Sequence, residues 1–276
     1  MVNRKELNPE ASPRAAFGAR LRSVREARGV TQDDLGDQME YSGQHVSAVE
    51  TGRKPPTLRF ARRADLVLDV GDEFEREWRD LRQGSLLEGF PEYVRCEERA
   101  VEIRIFEVGA IPGLVQTPEY AAAVEAANVK RGTIPPEQAE ERLTFLAERQ
   151  AALERPNPPI VIAVLDESCI RRMVGGSEVM GAQLAQLVAF ADQSYTMLQI
   201  VPFAIGERCP FSRVVNLLTL ADRSVVSYVE SQTRGYLDRD IPTVVPLVRA
   251  YHQLQAEALS QAASVALINE VRKGIL

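Results

Sequence analysis

The sequence has 276 residues, of which 45% are hydrophobic and 26% are charged, and its formal net charge is −6 at pH 7. This length suffices for a small domain and a larger one with its own core, and the hydrophobic content argues against wholesale disorder. No apolar run approaches the roughly 20 residues that span a bilayer, and the N-terminus lacks the apolar core of a secretory signal, so we expect a cytoplasmic protein without a membrane partner.

Charge is distributed unevenly along the chain. Residues 1–63 carry 12 Lys and Arg against 8 Asp and Glu, whereas the remaining residues carry 21 against 31. A basic N-terminal part attached to an acidic body is typical of a DNA-binding domain joined to a separate regulatory domain. This charge distribution favours nucleic-acid binding by the N-terminal part, despite the negative net charge of the whole chain.

Residues that commonly bind metals are sparse. The three cysteines lie far apart, at Cys96, Cys169 and Cys209. The only histidines are His45 and His252, and no CxxC pair occurs. Since a structural zinc site needs about four Cys or His ligands, usually as two close pairs, we expect no metal and no cofactor. Reduced, largely buried thiols are the favoured interpretation, and a redox switch at Cys169 is the alternative.

The N-terminal pattern begins with a polar arm and continues with helices. Residues 1–13 are rich in turn formers and are predicted to be a flexible arm, and residues 14–81 are predicted to be the DNA-binding domain. In its first helix, Phe17, Leu21 and Val24 form an apolar stripe at helical spacing. Arginines at the polar positions around this stripe are interpreted as a solvated face: Arg20, Arg22, Arg25 and Arg28.

Two short helices joined by a tight turn follow. Thr31 is predicted to cap a helix over residues 32–39, and Asp34 completes a capping box. Ser42 is predicted to cap a third helix over residues 43–51. Two further helices close a domain of five helices. Short helices with a tight turn, between a longer helix and closing helices, form the helix-turn-helix arrangement.

The run TQDDLGDQMEYSGQHVSAVETGRKPP, residues 31–56, resembles the lambda-repressor-like helix-turn-helix family of the xenobiotic-response-element type. The shared pattern is T-Q-x-x-L followed by S-x-x-x-V-S-x-x-E-x-G-x-x-x-P, and the resemblance covers residues 14–70. Gly36 departs from it, because the family usually has Ala there. The resemblance implies a sequence-specific regulator that binds double-stranded operator DNA. We expect a homodimer, since one recognition helix reads too few bases.

The predicted DNA contacts lie on the two short helices and the loop behind them: Gln32, Ser42, Gln44, His45, Ser47, Ala48, Arg53 and Lys54. Gln44 is the best candidate for reading a base, because its amide can pair with both N6 and N7 of adenine. Arg53 and Lys54 are placed to contact phosphates. The resemblance implies that Gln32 holds a phosphate and braces a Gln of the recognition helix. Glu50 is interpreted as the structural partner of a nearby arginine.

The C-terminal part mixes helices and strands. Residues 82–93 are predicted to be a linker, and residues 94–276 an α+β domain for regulation, partner binding and dimerisation. The charged stretch 94–104 is predicted to be helical and to precede a short strand over residues 105–108. Two segments are predicted to pair as a hairpin in a mostly antiparallel or mixed sheet: residues 214–220 and 224–228.

Several motifs in this part resemble the uncharacterised domain that follows a helix-turn-helix in a large regulator family of high-GC, antibiotic-producing bacteria. They include IPGLVQTPEYA at 111–121, LDESCIRRMVGG at 165–176 and LQIVPF at 198–203, and the resemblance covers residues 88–272. Proteins of this family are described as antitoxin-like transcriptional regulators, often encoded beside a small partner protein. The resemblance therefore implies regulation by a ligand or a partner.

Four residues of this domain are candidate ligand or partner contacts: Arg142, Arg149, Gln150 and Asp166. An arginine such as Arg149 is more often an internal ion-pair residue than a ligand contact, and Asp166 is most simply a helix N-cap. No nucleophile elbow, HExxH, phosphate loop or dinucleotide motif occurs, so we expect no catalytic residue and no enzymatic activity.

The sequence is compatible with three functions. The favoured one is a DNA-binding transcriptional regulator whose C-terminal domain responds to a ligand or a small partner protein. The alternative is an antitoxin-like protein that mainly neutralises a small partner and autoregulates its operon. An enzyme targeted to DNA ranks last.

Overall fold

The computed structural model of the chain describes residues 13–82, 89–231 and 234–275. The chain divides into two compact units, residues 1–86 and 87–276. The first unit is helical, and the second combines helices with a mixed six-stranded sheet. The predicted fold class, an all-α helix-turn-helix domain followed by a larger α+β domain, is confirmed.

Helices make up the described part of the first unit. They are α1 (Pro13–Ala27), α2 (Gln32–Met39), α3 (Gly43–Glu50), α4 (Leu58–Leu68) and α5 (Glu73–Arg82). Thr31, Ser42 and Thr57 begin α2, α3 and α4 as N-caps, each accepting a hydrogen bond from the backbone three residues further on. Of the predicted arm, residues 1–12 lie outside the described residues, and Pro13 already belongs to α1.

Two glycines allow the helices of the first unit to approach closely. A Cβ at Gly18 would lie 2.4 Å from the carbonyl oxygen of Glu50, and a Cβ at Gly36 would lie 2.8 Å from that of Tyr41. Because both neighbours are backbone atoms, neither contact can be relieved by rotating a side chain. Gly18 therefore lets α1 pack on α3, and Gly36 lets α2 pack on the turn that leads into α3.

The second unit alternates helices and strands. Its helices are α6 (Phe90–Glu97), α7 (Pro118–Lys130), α8 (Pro136–Leu153), α9 (Glu167–Arg171), α10 (Gly176–Ala191), α11 (Ile241–Glu257) and α12 (Gln261–Ile275). Its strands are β1 (Ala100–Glu107), β2 (Ile160–Asp166), β3 (Thr196–Val201), β4 (Val215–Leu220), β5 (Val225–Glu230) and β6 (Gly235–Asp238). Two 3₁₀ turns, Gly113–Val115 and Phe203–Arg208, lie between them.

The sheet has the strand order β3-β2-β1-β4-β5-β6. Strands β1, β2 and β3 run parallel, and β4, β5 and β6 follow as antiparallel neighbours. The predicted hairpin is confirmed as β4 and β5, with Leu218 opposite Val226. One face of the sheet packs on α11, in a cluster that includes Phe106, Val164 and Tyr251. A helix packed on a sheet face is expected, because the apolar side chains of that face must be buried.

Strand β3 lies at an edge of the sheet, and that edge is covered. The backbone nitrogen of Leu198 donates to Gln261 Oε1 at 3.2 Å, and that of Ile200 donates to Ser264 Oγ at 2.9 Å. The carbonyl oxygen of Ile200 accepts a hydrogen bond from the backbone nitrogen of Leu259 at 2.9 Å. Since these outward backbone groups are occupied, the edge is closed to pairing with another strand.

The helix predicted over residues 94–104 is wrong in its second half. Helix α6 ends at Glu97, and β1 begins at Ala100. The charged residues suggested a solvated helix, but Arg104 is only 8% exposed, and its Nε lies 2.9 Å from Glu102 Oε1 on the same strand. Residues two apart on a strand lie on the same face of the sheet, so Glu102 and Arg104 can pair there. This pairing lets both charged side chains occupy strand positions.

Two further elements differ from the expectations. The predicted linker over residues 82–93 overlaps α6, which begins at Phe90 with Pro91 in its first turn. Strand β6 was not predicted, and its four residues, Gly235–Asp238, are too few to show a clear alternation of apolar and polar positions.

Candidate nucleic-acid interface

Helices α2 and α3 form a helix-turn-helix whose turn is fixed by local hydrogen bonds. The predicted capping box is present: the backbone nitrogen of Asp34 donates to Thr31 Oγ1 at 3.1 Å, and that of Thr31 donates to Asp34 Oδ2 at 3.4 Å. Glu40 ends α2 in the left-handed conformation, with a φ of 64°. Ser42 Oγ accepts from the backbone nitrogen of His45 at 3.2 Å, so Ser42 caps α3.

A buried carboxylate fixes α3 to α1 and α2. Glu50, the last residue of α3, is 0% exposed. Its Oε1 accepts from Arg25 Nε at 2.5 Å, and its Oε2 accepts from Gln32 Nε2 at 2.6 Å. Arg22 Nε also donates to Glu50, at 3.2 Å. The interpretation of Glu50 as the structural partner of an arginine is confirmed.

The same network corrects one expectation about the first helix. Its arginines were interpreted as a solvated face, but Arg25 is only 7% exposed. Arg25 follows Leu21 by four residues, which places both on the buried side of α1. That spacing was the signal in the sequence. Gln32 is tied to Glu50 as well, and its role at a phosphate remains a prediction.

Helix α3 presents a second face, opposite to this network. Gln44 is exposed, and Ser47 and Ala48 are half-buried. These three residues share one side of the helix because they are spaced by three and four positions. Val46 and Val49 point inward and are buried, as expected. The outward face therefore carries one long amide beside two short side chains, which allows α3 to approach base edges closely.

His45 occupies an aromatic cluster at the border of this face. Its ring stacks on Phe60, with centroids 5.5 Å apart, and lies 4.6 Å from the ring of Tyr41. Burial, together with the nearby ammonium group of Lys54, lowers the pKa of His45, so the ring is neutral at neutral pH. His45 thus contributes to the packing of the turn, and its predicted DNA contact remains a prediction.

Two groups of basic side chains in the first unit differ in their partners. Arginines paired with carboxylates include Arg20, Arg22, Arg25, Arg59, Arg62, Arg63, Arg76 and Arg79. Arg53 and Lys54, directly behind α3, are exposed and contact Thr51 and His45 instead. Within the described residues, neither has a carboxylate within salt-bridge distance. Their positive charge is therefore available beside the outward face of α3.

In the second unit, the candidate Arg149 is part of an enclosed ion pair. Its Nε and Nη2 donate to the two carboxylate oxygens of Glu97, both at 2.9 Å. Its guanidinium carbon lies 4.8 Å from the ring centroid of Phe90 and 6.0 Å from that of Tyr93. This geometry is the internal ion pair that was favoured for Arg149.

The other three candidates also have internal partners. Gln150, next to Arg149 on α8, donates from Nε2 to the carbonyl oxygen of Gly113 at 2.8 Å. Arg142 Nη1 lies 3.7 Å from Glu125 Oε2 on α7. Asp166, at the end of β2, is the N-cap of α9, as expected. Each residue thus has a partner within the second unit, and its contact with a ligand or partner protein stays a prediction.

Comparison with known families matches both units. Residues 16–78 match the model of a helix-turn-helix domain, and residues 90–270 match that of a domain of unknown function, DUF5753. No curated protein and no solved structure matches the chain. Within residues 13–82, 89–231 and 234–275, no helix combines the length and the apolarity that a bilayer span requires.

Proposed function

The chain belongs to the DUF5753 family, and from that premise and its helix-turn-helix domain we propose that it is a sequence-specific transcriptional regulator of the lambda-repressor-like type. In this proposal, the first unit binds operator DNA, and the second unit responds to a ligand or to a small partner protein. The proposal assigns no chemical reaction to the chain.

The charge arrangement around α3 is the observation that carries the proposal. Glu50 and its partners fix the buried side of the helix, while Gln44 is exposed on the other side. Arg53 and Lys54 follow directly and have no carboxylate partner among the described residues. A recognition helix needs this combination, because base-edge contacts give specificity and phosphate contacts give position and most of the affinity.

Two finer features belong to the same proposal. We expect the chain to act as a homodimer, since two recognition helices about one helical turn of DNA apart read enough bases for specific binding. The motifs of the second unit support an antitoxin-like role, in which the chain neutralises a small protein encoded nearby. The stoichiometry of the complex with that protein distinguishes this role from regulation by a ligand. A tight one-to-one complex with a small protein that releases the DNA would favour it.

Operator binding by a Gln44→Ala variant tests the proposal. Promoter fragments that flank the chain's own gene would be titrated at low and moderate salt, with every single base substitution in the bound site. We expect wild-type affinity to fall steeply with salt, because counterions are released from phosphates. Gln44→Ala should lose about 1–3 kcal/mol of discrimination at one base position.

Gln38→Ala is the matched control, because it removes the same side chain from the exposed surface of α2. It should leave base preference unchanged. Failure of the wild-type chain to bind any fragment at low salt would refute the proposed function. Unchanged base preference in Gln44→Ala would refute only the role of Gln44.

A further inference from the structure

The second unit contains a cleft that includes none of the candidate DNA contacts. It encloses ≈ 310 Å³ and lies between the segment 114–118, the end of α8, the end of α10, the start of β2 and the residues just before β3. Its apolar walls include Leu114, Leu153 and Phe190. This volume is at the lower end of the roughly 300–1,000 Å³ that small-ligand sites have, and it suits a few residues of a peptide.

Buried hydrogen bonds fix one wall of the cleft in advance. Gln183, which is 0% exposed, donates from Nε2 to the carbonyl oxygen of Val115 at 2.8 Å and accepts from the backbone nitrogen of Thr117 at 2.7 Å. Gln150 Nε2 bonds the carbonyl oxygens of Gly113 and Gln116 at 2.8 and 2.9 Å. Because this wall is already ordered, a ligand would not lose affinity to its ordering.

The cleft also offers free amide groups. Gln186 and Gln193 line it and are exposed, and neither makes a side-chain hydrogen bond within the part of the chain that the structure describes. A glutamine amide is both a donor and an acceptor, so it complements the N–H and C=O of a peptide group. Exposed Tyr195 adds an aromatic surface beside them.

The charge of the cleft is acidic. Glu154 is the charged side chain among the described residues that line it, and none of them is Lys, Arg or His. A phosphate or carboxylate ligand would find no cation here, whereas an ammonium or guanidinium group would gain a charge partner in Glu154.

The neighbouring sheet edge limits how a peptide can bind. A peptide cannot extend the sheet beside β3, because Gln261 and Ser264 already bind the outward N–H groups of that strand. Recognition must therefore use side chains of the cleft, with the peptide lying extended along the apolar walls.

We propose that this cleft binds an extended segment of a partner protein that carries an arginine or lysine side chain. Gln186 and Gln193 bind its peptide groups, and Glu154 binds its cation. The inference rests on the proposed function, since it names the class of partner to which the second unit responds.

A peptide library tests the proposal on the immobilised full-length chain. Acetylated, amidated tetrapeptides of mixed sequence would be applied, and the retained peptides counted by mass spectrometry. We expect members with Arg or Lys to be retained about fivefold more than members with Asp or Glu, the size of one solvent-exposed charge pair. Glu154→Gln should abolish this preference, and Glu154→Lys should reverse it.

Two further variants complete the test. Glu207→Lys makes the same charge change at an exposed residue that does not line the cleft, and it should keep the preference for basic peptides. A double variant, Gln186→Ala with Gln193→Ala, should lower the retention of all peptides. Equal retention of basic and acidic peptides, a preference that survives Glu154→Lys, or no retention at all would overturn the proposal.

Operator binding measured on the same samples distinguishes failure of the cleft proposal from failure of the proposed function. A chain that binds its operator but shows no basic preference refutes the cleft and leaves the proposed function standing. A chain that binds no operator refutes the proposed function, whatever the peptides do.

Discussion

Both units contain a buried arginine–glutamate pair, but the two pairs have different surroundings. In the first unit, Glu50 binds Arg25 beneath α3, and the other side of α3 remains exposed. In the second unit, Glu97 binds Arg149 between α6 and α8, and aromatic rings enclose the arginine. The first pair positions a surface, whereas the second belongs to the interior.

This difference shows why residue type alone does not assign a function to an arginine. Arg25 and Arg149 are both charged residues of amphipathic helices. Arg25 is nearly buried and Arg149 is partly buried, because each pairs with a carboxylate from a distant segment. Arg53, by contrast, has no such carboxylate among the described residues and keeps its charge for a partner outside the chain. The location of the counter-charge separates a structural arginine from one whose charge is available to the predicted DNA partner.

The largest effect is expected from Glu50→Ala. Removing this carboxylate leaves the buried Arg25 guanidinium with the carbonyl oxygen of Val30 and the more distant Glu26 but without its buried counter-charge, which costs about 3–5 kcal/mol. Trp78, the only tryptophan of the chain, is 3% exposed in the first unit, so its fluorescence during urea unfolding reports that unit. The Trp78 transition should shift to a lower denaturant concentration, and operator binding should be lost with it.

Arg76→Ala is the control for this prediction, because it breaks an exposed pair with Asp72 on the same unit. Pairs of that kind contribute about 0.3–0.5 kcal/mol, so the Trp78 transition should hardly move. An equal shift in both variants would show that the buried network has no special role in the stability of the first unit.

A smaller effect, about 3 kcal/mol, is expected from Glu97→Ala in the second unit. The loss should fall at the lower end of the usual range because Arg149 retains its contacts with the rings of Phe90 and Tyr93. Far-UV circular dichroism should show earlier unfolding, while the Trp78 transition stays in place. A matching shift of Trp78 fluorescence would mean that the two units do not unfold independently.

The sequence predicted much of the first unit, because its signals are local. Thr31, Ser42 and Thr57 cap their helices by contacts within three residues, and a single chain segment contains all the information for such a cap. The outward position of Gln44 also follows from helical spacing. The spacing of Arg25 from Leu21 indicated its burial, and Glu50 was expected to pair with an arginine. Which arginine it binds did not follow, because Arg25 and Glu50 lie 25 residues apart along the chain.

The second unit was less predictable because its sheet joins distant segments. Arg104 could not be recognised as a strand residue without Thr219, which bonds it from β4. The cleft was missed for the same reason. Its glutamines come from α8, α10, the segment before α7 and the segment before β3, and no spacing along the chain reveals that they converge.

The smallest effect concerns pH, and here the two units should behave in opposite ways. Burial lowers the pKa of His45 in the first unit, so the folded state binds a proton less readily than the unfolded chain. Stability from this group is present above pH 6.5 and is lost as the pH falls below it. Burial raises the pKa of Glu107 in the second unit to about 8. Its contribution is present below pH 4.5 and is lost as the pH rises towards 8.

Between pH 5.5 and 7.5, the Trp78 transition should therefore move to higher urea with rising pH, while the dichroism transition moves to lower urea. One titrating group changes stability by at most about 1.4 kcal/mol per pH unit, which is why this effect is the smallest. His45→Gln should flatten the first trend, and Glu107→Gln the second. Raised pKa values of Asp65 and Glu77 oppose the trend from His45 in the first unit, and the raised pKa of Glu230 acts together with that of Glu107 in the second. The difference between each variant and the wild type therefore measures one group together with its coupling to these neighbours. If both transitions moved in the same direction with rising pH and neither variant changed this, burial of His45 and Glu107 would not control stability near neutral pH.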